Sequence, residues 1–123
     1  RLRSGEPVAD LAPLVERLRP AAVLANCAVP EAMGAALEAL SRLGLPFGAY
    51  ANGFTHISAA FLQDAPTVDA LETRHDLTPD RYADFAMDWV AQGATIVGGC
   101  CEVGPAHIAA LAAALTAAGH RIT

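Results

Sequence analysis

The stretch Ala94-Thr95-Ile96-Val97-Gly98-Gly99-Cys100-Cys101 is a short apolar run that ends in two glycines and two adjacent cysteines. An apolar run this short, bounded by glycine, reads as a strand buried on both faces. Pro105 follows closely and opens a helical pattern, so the stretch is a strand, a turn and a helix start in succession. The same unit recurs upstream. Ala21 to Ala25 is apolar, ends in Asn26 and Cys27, and leads to a helix start at Pro30 and Glu31. Leu45 to Ala51 is apolar and closes on Asn52 and Gly53.

The intervening segments carry helical spacing. Between Pro7 and Arg19, Val8, Leu11, Leu14, Val15 and Leu18 fall at steps of three and four, which predicts an amphipathic helix. After Pro30, Met33, Leu37 and Leu40 line one side, with Glu38 and Arg42 paired on the other and Gly44 as the stop. Thr78-Pro79 signals a third helix with Tyr82, Phe85, Ala86, Trp89 and Val90 on its apolar face, broken at Gly93. In the last helix Ile108, Leu111 and Leu115 are expected to face inward, and Gly119 to cap the end. Residues 53 to 78 show no clean period, and so long a connection is expected to be a functional loop, a candidate lid, or to hold a short helix of its own. Alternating strands and crossover helices imply a parallel sheet with right-handed connections, which brings every strand C-terminus to one edge. Function in such sheets lives on that edge.

Composition narrows the partners. The chain has 123 residues, the size of one domain, with 8 basic and 13 acidic residues, a net charge of −5. That field repels polyanions and argues against nucleic acid. With 54% apolar and 17% charged residues and a mean hydropathy of +0.34, the chain is expected to bury most of what it has. No apolar run approaches the length of a membrane helix and nothing at the start resembles a signal peptide, so the expectation is a soluble, cytoplasmic protein with no membrane partner.

Three cysteines, two of them adjacent, make a poor disulfide framework and point to a reducing compartment, where metal binding or thiol chemistry is the better use. Neighbouring strand residues point to opposite faces, so Cys100 and Cys101 reach one metal only if the backbone bends, and Gly98 and Gly99 are expected to allow it. Cys27 arrives from another strand end on the same edge. Three thiolates without an obvious fourth ligand match the catalytic zinc arrangement, three protein ligands and one open position. A thiol entering that position would lose its proton to the charge of the metal. The plainer alternative is three small buried hydrophobes. His56 could be a ligand or a partner of Cys27, though an exposed loop histidine is the simpler account; His75, His107 and His120 are expected to be solvated. Asn52 could bind a substrate or satisfy the turn that Gly53 allows. Tyr82, Phe85 and Trp89 read as core.

These residues resemble the homocysteine S-methyltransferase family, zinc-dependent (β/α)8 barrels with Asn-Cys after the sixth strand and Gly-Gly-Cys-Cys after the eighth. Here those are Asn26-Cys27 and Gly98-Gly99-Cys100-Cys101, with Tyr50-Ala51-Asn52 where the family commonly has Tyr-Pro-Asn and Pro105-Ala106-His107-Ile108 opening the last helix. Ala51 stands in place of the usual proline, and Glu102-Val103-Gly104 in place of the common Gly-Thr-Thr. The resemblance implies that residues 1–123 are the C-terminal portion, about strands six to eight with their helices, of a TIM-type barrel whose upstream part is not in the chain. It implies zinc on Cys27, Cys100 and Cys101, a substrate site that includes Asn26 and Asn52, and methyl transfer to the thiol of homocysteine or a similar small thiol, forming methionine. The donor is betaine, S-methylmethionine or methyltetrahydrofolate by the same resemblance. Two other readings stand beside it: a metal-free enzyme with Cys27 as nucleophile and His56 as base, and a truncated, non-catalytic zinc-binding or assembly piece. The strand order expected is 21–27, 45–51, 94–98, with both outer edges open to self-association.

Overall fold

The computed structural model describes residues 1–55 and 72–123. The candidate lid and His56 fall largely or wholly in the remaining stretch, and so lie outside the described residues. Three strands, β1 (Val23–Asn26), β2 (Phe47–Ala51) and β3 (Ile96–Gly99), form one parallel sheet in the order β1-β2-β3. Val23 pairs with Phe47 and Asn26 with Tyr50, while Gly48 pairs with Ile96 and Ala51 with Gly99. Four helices alternate with the strands: α1 (Ala12–Leu18), α2 (Pro30–Ser41), α3 (Pro79–Ala91) and α4 (Pro105–Ala117).

Proline sets three of the helix starts. Pro30, Pro79 and Pro105 each occupy the first helical position, where the missing N–H costs nothing because that donor has no intrahelical acceptor. Thr78 adds a cap to α3 by accepting the Arg81 N–H at 3.3 Å. The first helix differs from its expectation. Pro13 permits an α-helix only where it sits in the first turn, so α1 begins at Ala12 and the preceding Val8–Leu11 tightens into a 3-10 turn. Val8 and Leu11 pack on the core, whereas Leu14 and Leu18 are 40% and 63% exposed. In α4, Leu111 is buried but Ile108 is 41% exposed rather than inward.

The core lies between the sheet and α2, α3 and α4. Met33, Leu37 and Leu40 of α2 and Tyr82, Ala86 and Trp89 of α3 pack with Phe47, Ala49 and Ala51 of β2. Each buried aliphatic side chain of this kind contributes roughly 1.5–3 kcal/mol. Alternation along the strands puts Leu24, Asn26, Tyr50 and Ile96 on the opposite face, where Leu24 is 38% exposed and Asn26 is exposed. Among the described residues, the outer edges of β1 and β3 have no strand partner. No helix among them is long and apolar enough to cross a membrane.

Candidate metal centre

The C-terminal ends of the strands are stitched together beyond the sheet itself. Cys27 follows β1 with a left-handed φ of 57°, and its N–H still donates to the Tyr50 carbonyl at 2.8 Å. The Asn52 N–H donates to Ala28 and the Gly53 N–H to Cys101, both at 2.9 Å, and the Cys100 N–H donates to Ala51 at 2.9 Å. Four backbone hydrogen bonds thus hold the three strand ends in register, each contributing about 1 kcal/mol net.

The bend at Cys100-Cys101 is allowed by Gly98 and Gly99 through space and not through dihedral freedom. Gly98 and Gly99 do not take the left-handed conformation; Glu102 does, at φ 63°. The glycines instead make room. A Cβ on Gly98 would sit 2.7 Å from the Tyr50 ring, and one on Gly99 would sit 2.2 Å from Val103, which folds back over it. Gly53 leaves space for Glu102 in the same way, with a Cβ there at 3.0 Å from that residue.

This backbone brings three sulfurs together. Cys101 Sγ lies 3.9 Å from Cys27 Sγ and 3.8 Å from Cys100 Sγ, and all three lie within 4.8 Å of one another. Tetrahedral zinc with Zn–S bonds near 2.3 Å requires sulfurs about 3.8 Å apart. The donor set is therefore of the right softness and spacing for zinc, and it is the one such cluster among the described residues. All three are half-buried free thiols. Burial pushes the Cys100 thiol up to about 11, and the adjoining Cys27 and Cys101 thiols push it the same way.

Asn52 is fully buried and its amide is engaged within the protein. Nδ2 donates to the Cys27 carbonyl at 2.8 Å and approaches Cys27 Sγ at 3.8 Å, while Oδ1 accepts the Phe54 N–H at 3.2 Å. It holds both the turn after β2 and the strained residue that carries a thiol. Asn26 stands exposed at the end of β1, on the face away from the helices. Two residues the sequence reading took only as core or solvent lie beneath the cysteines. Tyr82 donates its hydroxyl to the Gly98 carbonyl at 2.6 Å, and burial pushes that hydroxyl up to about 12, so it remains a donor. His107, expected to be solvated, is half-buried; its Nδ1 accepts the Gly104 N–H at 3.2 Å, which leaves Nε2 to donate to the Leu77 carbonyl at 2.9 Å. A histidine three residues past a helix N-cap glycine was the available signal. His75 and His120 are exposed, as expected.

The rim is closed by residues 72–76. Phe54 and Thr73 form an antiparallel bridge, the Arg74 N–H donates to Gly53 at 2.7 Å, and Thr73 Oγ1 donates to Glu102 at 3.1 Å. The Arg74 guanidinium makes a two-pronged bond to Glu31 at 2.8 Å and another to Asp76, and holds the Asp76 carboxyl down at about 2.

The sequence profile of homocysteine S-methyltransferases matches residues 1–115. The chain belongs to the homocysteine S-methyltransferase family. It is 34% identical over 114 residues to the homocysteine S-methyltransferase of Escherichia coli (strain K12), a match covering 91% of this chain and 34% of that enzyme. The chain therefore spans about a third of the length of the curated relative it matches.

Proposed function

We propose that this chain supplies the zinc-binding edge of a methyltransferase that moves a methyl group onto the thiol of homocysteine or a close analogue, forming methionine. The observation that carries the reading is the convergence of Cys27, Cys100 and Cys101 at the C-terminal edge of a parallel sheet, at sulfur spacings of 3.8 and 3.9 Å. Those three residues would hold the zinc, which when bound supplies the positive charge that keeps a substrate thiol deprotonated at neutral pH. The substrate sulfur then takes the methyl carbon: the new S–CH3 bond forms as the bond from that carbon to its donor breaks, and the thiol proton leaves to solvent. Asn52 keeps Cys27 in its left-handed conformation and its amide toward the Cys27 sulfur, and we assign it and Asn26 to the substrate side of the centre. The exposure of Asn26 on the face away from the helices supports that assignment.

The reading includes the rest of a barrel. With a third of the relative's length matched, residues 1–123 serve as its C-terminal portion, and the remaining strands come from sequence outside this chain. The same strands would complete the substrate site, which is why the zinc edge by itself is assigned metal binding and the complete barrel, acting in the cytoplasm, is assigned catalysis. Metal analysis of the purified chain should give one zinc per chain, lost on treatment with a chelator. A homocysteine methylation assay on the complete enzyme, offered betaine, S-methylmethionine and methyltetrahydrofolate in turn, should show turnover that follows zinc content. Full activity in a zinc-free preparation would refute the proposal and favour the thiol-nucleophile alternative.

A further inference from the structure

Beneath the double-cysteine turn lies a hydroxyl that packing alone does not require. Tyr82 stands in the first turn of α3, completely buried, with its ring edge-on to Trp89 at 5.8 Å and to His107 at 5.9 Å. A phenylalanine would fill the same space and make the same ring contacts. What the hydroxyl adds is direction. It donates to the Gly98 carbonyl at 2.6 Å and lies 3.5 Å from the Ala51 carbonyl. The Ala51 carbonyl is the group that accepts the Cys100 N–H, and Gly98 lies in β3 two residues before Cys100. The phenol thus bonds one of the two peptide groups that fix where Cys100 leaves the sheet and lies against the other. His107 grips the far side of the same turn, joining Gly104 to Leu77 just ahead of α3.

We infer that Tyr82 is a positioning residue for Cys100: its hydroxyl ties the first turn of α3 to the Gly98 carbonyl, beside the Ala51 carbonyl, and so holds the Cys100 thiol against Cys27 and Cys101. The sulfur spacing is then imposed by the protein. The consequence for zinc rests on the function proposed above, whereas the placement of the thiol does not. Groups that orient ligands from behind typically change metal affinity by about 10- to 100-fold when removed.

The test compares Tyr82→Phe with Leu37→Val, which loosens the core on α2 at a distance from the turn. Three readouts apply to each: the thermal midpoint, the maleimide labelling rate of each cysteine in metal-free protein by mass spectrometry, and the zinc affinity by competition with a coloured chelator. Tyr82→Phe should label Cys100 several-fold faster with Cys27 within twofold of wild type, and should weaken zinc by about tenfold or more. Leu37→Val should lower the midpoint comparably and leave labelling and zinc affinity within twofold. The inference is overturned if Tyr82→Phe labels Cys100 at the wild-type rate, if its zinc affinity is unchanged in a protein that binds zinc, or if Leu37→Val shifts both readouts equally. A wild-type chain that takes up no zinc would count against the metal centre alone, and the labelling rates would still decide the role of Tyr82.

Discussion

Cys101 lies 3.9 Å from Cys27 and 3.8 Å from Cys100, so its loss removes the thiol that contacts both of the others and leaves two sulfur ligands. Cys101→Ser should abolish zinc retention, measured by metal analysis after gel filtration, while the thermal midpoint of the metal-free protein changes little, because the site sits on a strand edge and not in the core. A midpoint that collapses in the metal-free state would mark Cys101 as a packing residue. Its neighbour Glu102 bears the strain of the turn. A side chain at φ 63° costs roughly 1–2 kcal/mol, and the Thr73 hydroxyl bonded to its exposed carboxylate returns only part of that. Glu102→Gly should therefore raise stability by about 1 kcal/mol, seen as a higher urea midpoint at unchanged slope. An unchanged or lower midpoint would show that the Thr73 bond outweighs the dihedral relief.

Among elements, the rim segment 72–76 is held by the Phe54–Thr73 bridge, the Thr55 N–H on the Glu72 carbonyl, the Thr73 hydroxyl on Glu102 and the ion pairs of Arg74. The Arg74 hydrogen bond keeps the Asp76 carboxyl at about 2, below the ordinary 3.8. A carboxyl lowered in the folded state contributes stability that is present above about pH 4 and is lost as the pH falls through about 2. Carboxyl NMR of the folded protein should place the Asp76 midpoint near 2; a midpoint at the ordinary value would show that the Arg74 pair does not form. Nothing in the sequence pairs Arg74 with Glu31, 43 positions away, because that contact exists only once β2 and α2 are packed. The starts of α2, α3 and α4 were legible, since a proline at the first helical position followed by apolar residues at steps of three and four has one reading. So was the gathering of the cysteines, because parallel topology sends every strand end to one edge. The polar tip of Tyr82 was not: a helical stripe reports that a ring is buried, and says nothing of the carbonyl its hydroxyl meets. That Gly98 and Gly99 allow the bend was legible, but the means was not: close approach of Tyr50 and Val103 requires them, and the left-handed residue is Glu102.

At the scale of the whole molecule, the sheet is covered on one face and open at both edges among the described residues. Leu24 and Ile96 lie on the other face, and the outer N–H and C=O groups of β1 and β3 have no strand partner among the described residues. Such edges template further strand pairing. The chain alone should associate, with light scattering giving a mass above 12.7 kDa, and Leu24→Lys should shift it toward monomer at unchanged helix content. A monodisperse wild-type monomer would show that these edges are self-sufficient. The bridge between Phe54 and Thr73, clasped by Arg74, has a different consequence. It brings the two ends of residues 56–71 together before that stretch begins, so whatever spans the gap has its endpoints already fixed. The clasp thus sets a doorway one strand spacing wide, about 4.8 Å, between the point where the described chain leaves at Thr55 and the point where it returns at Glu72.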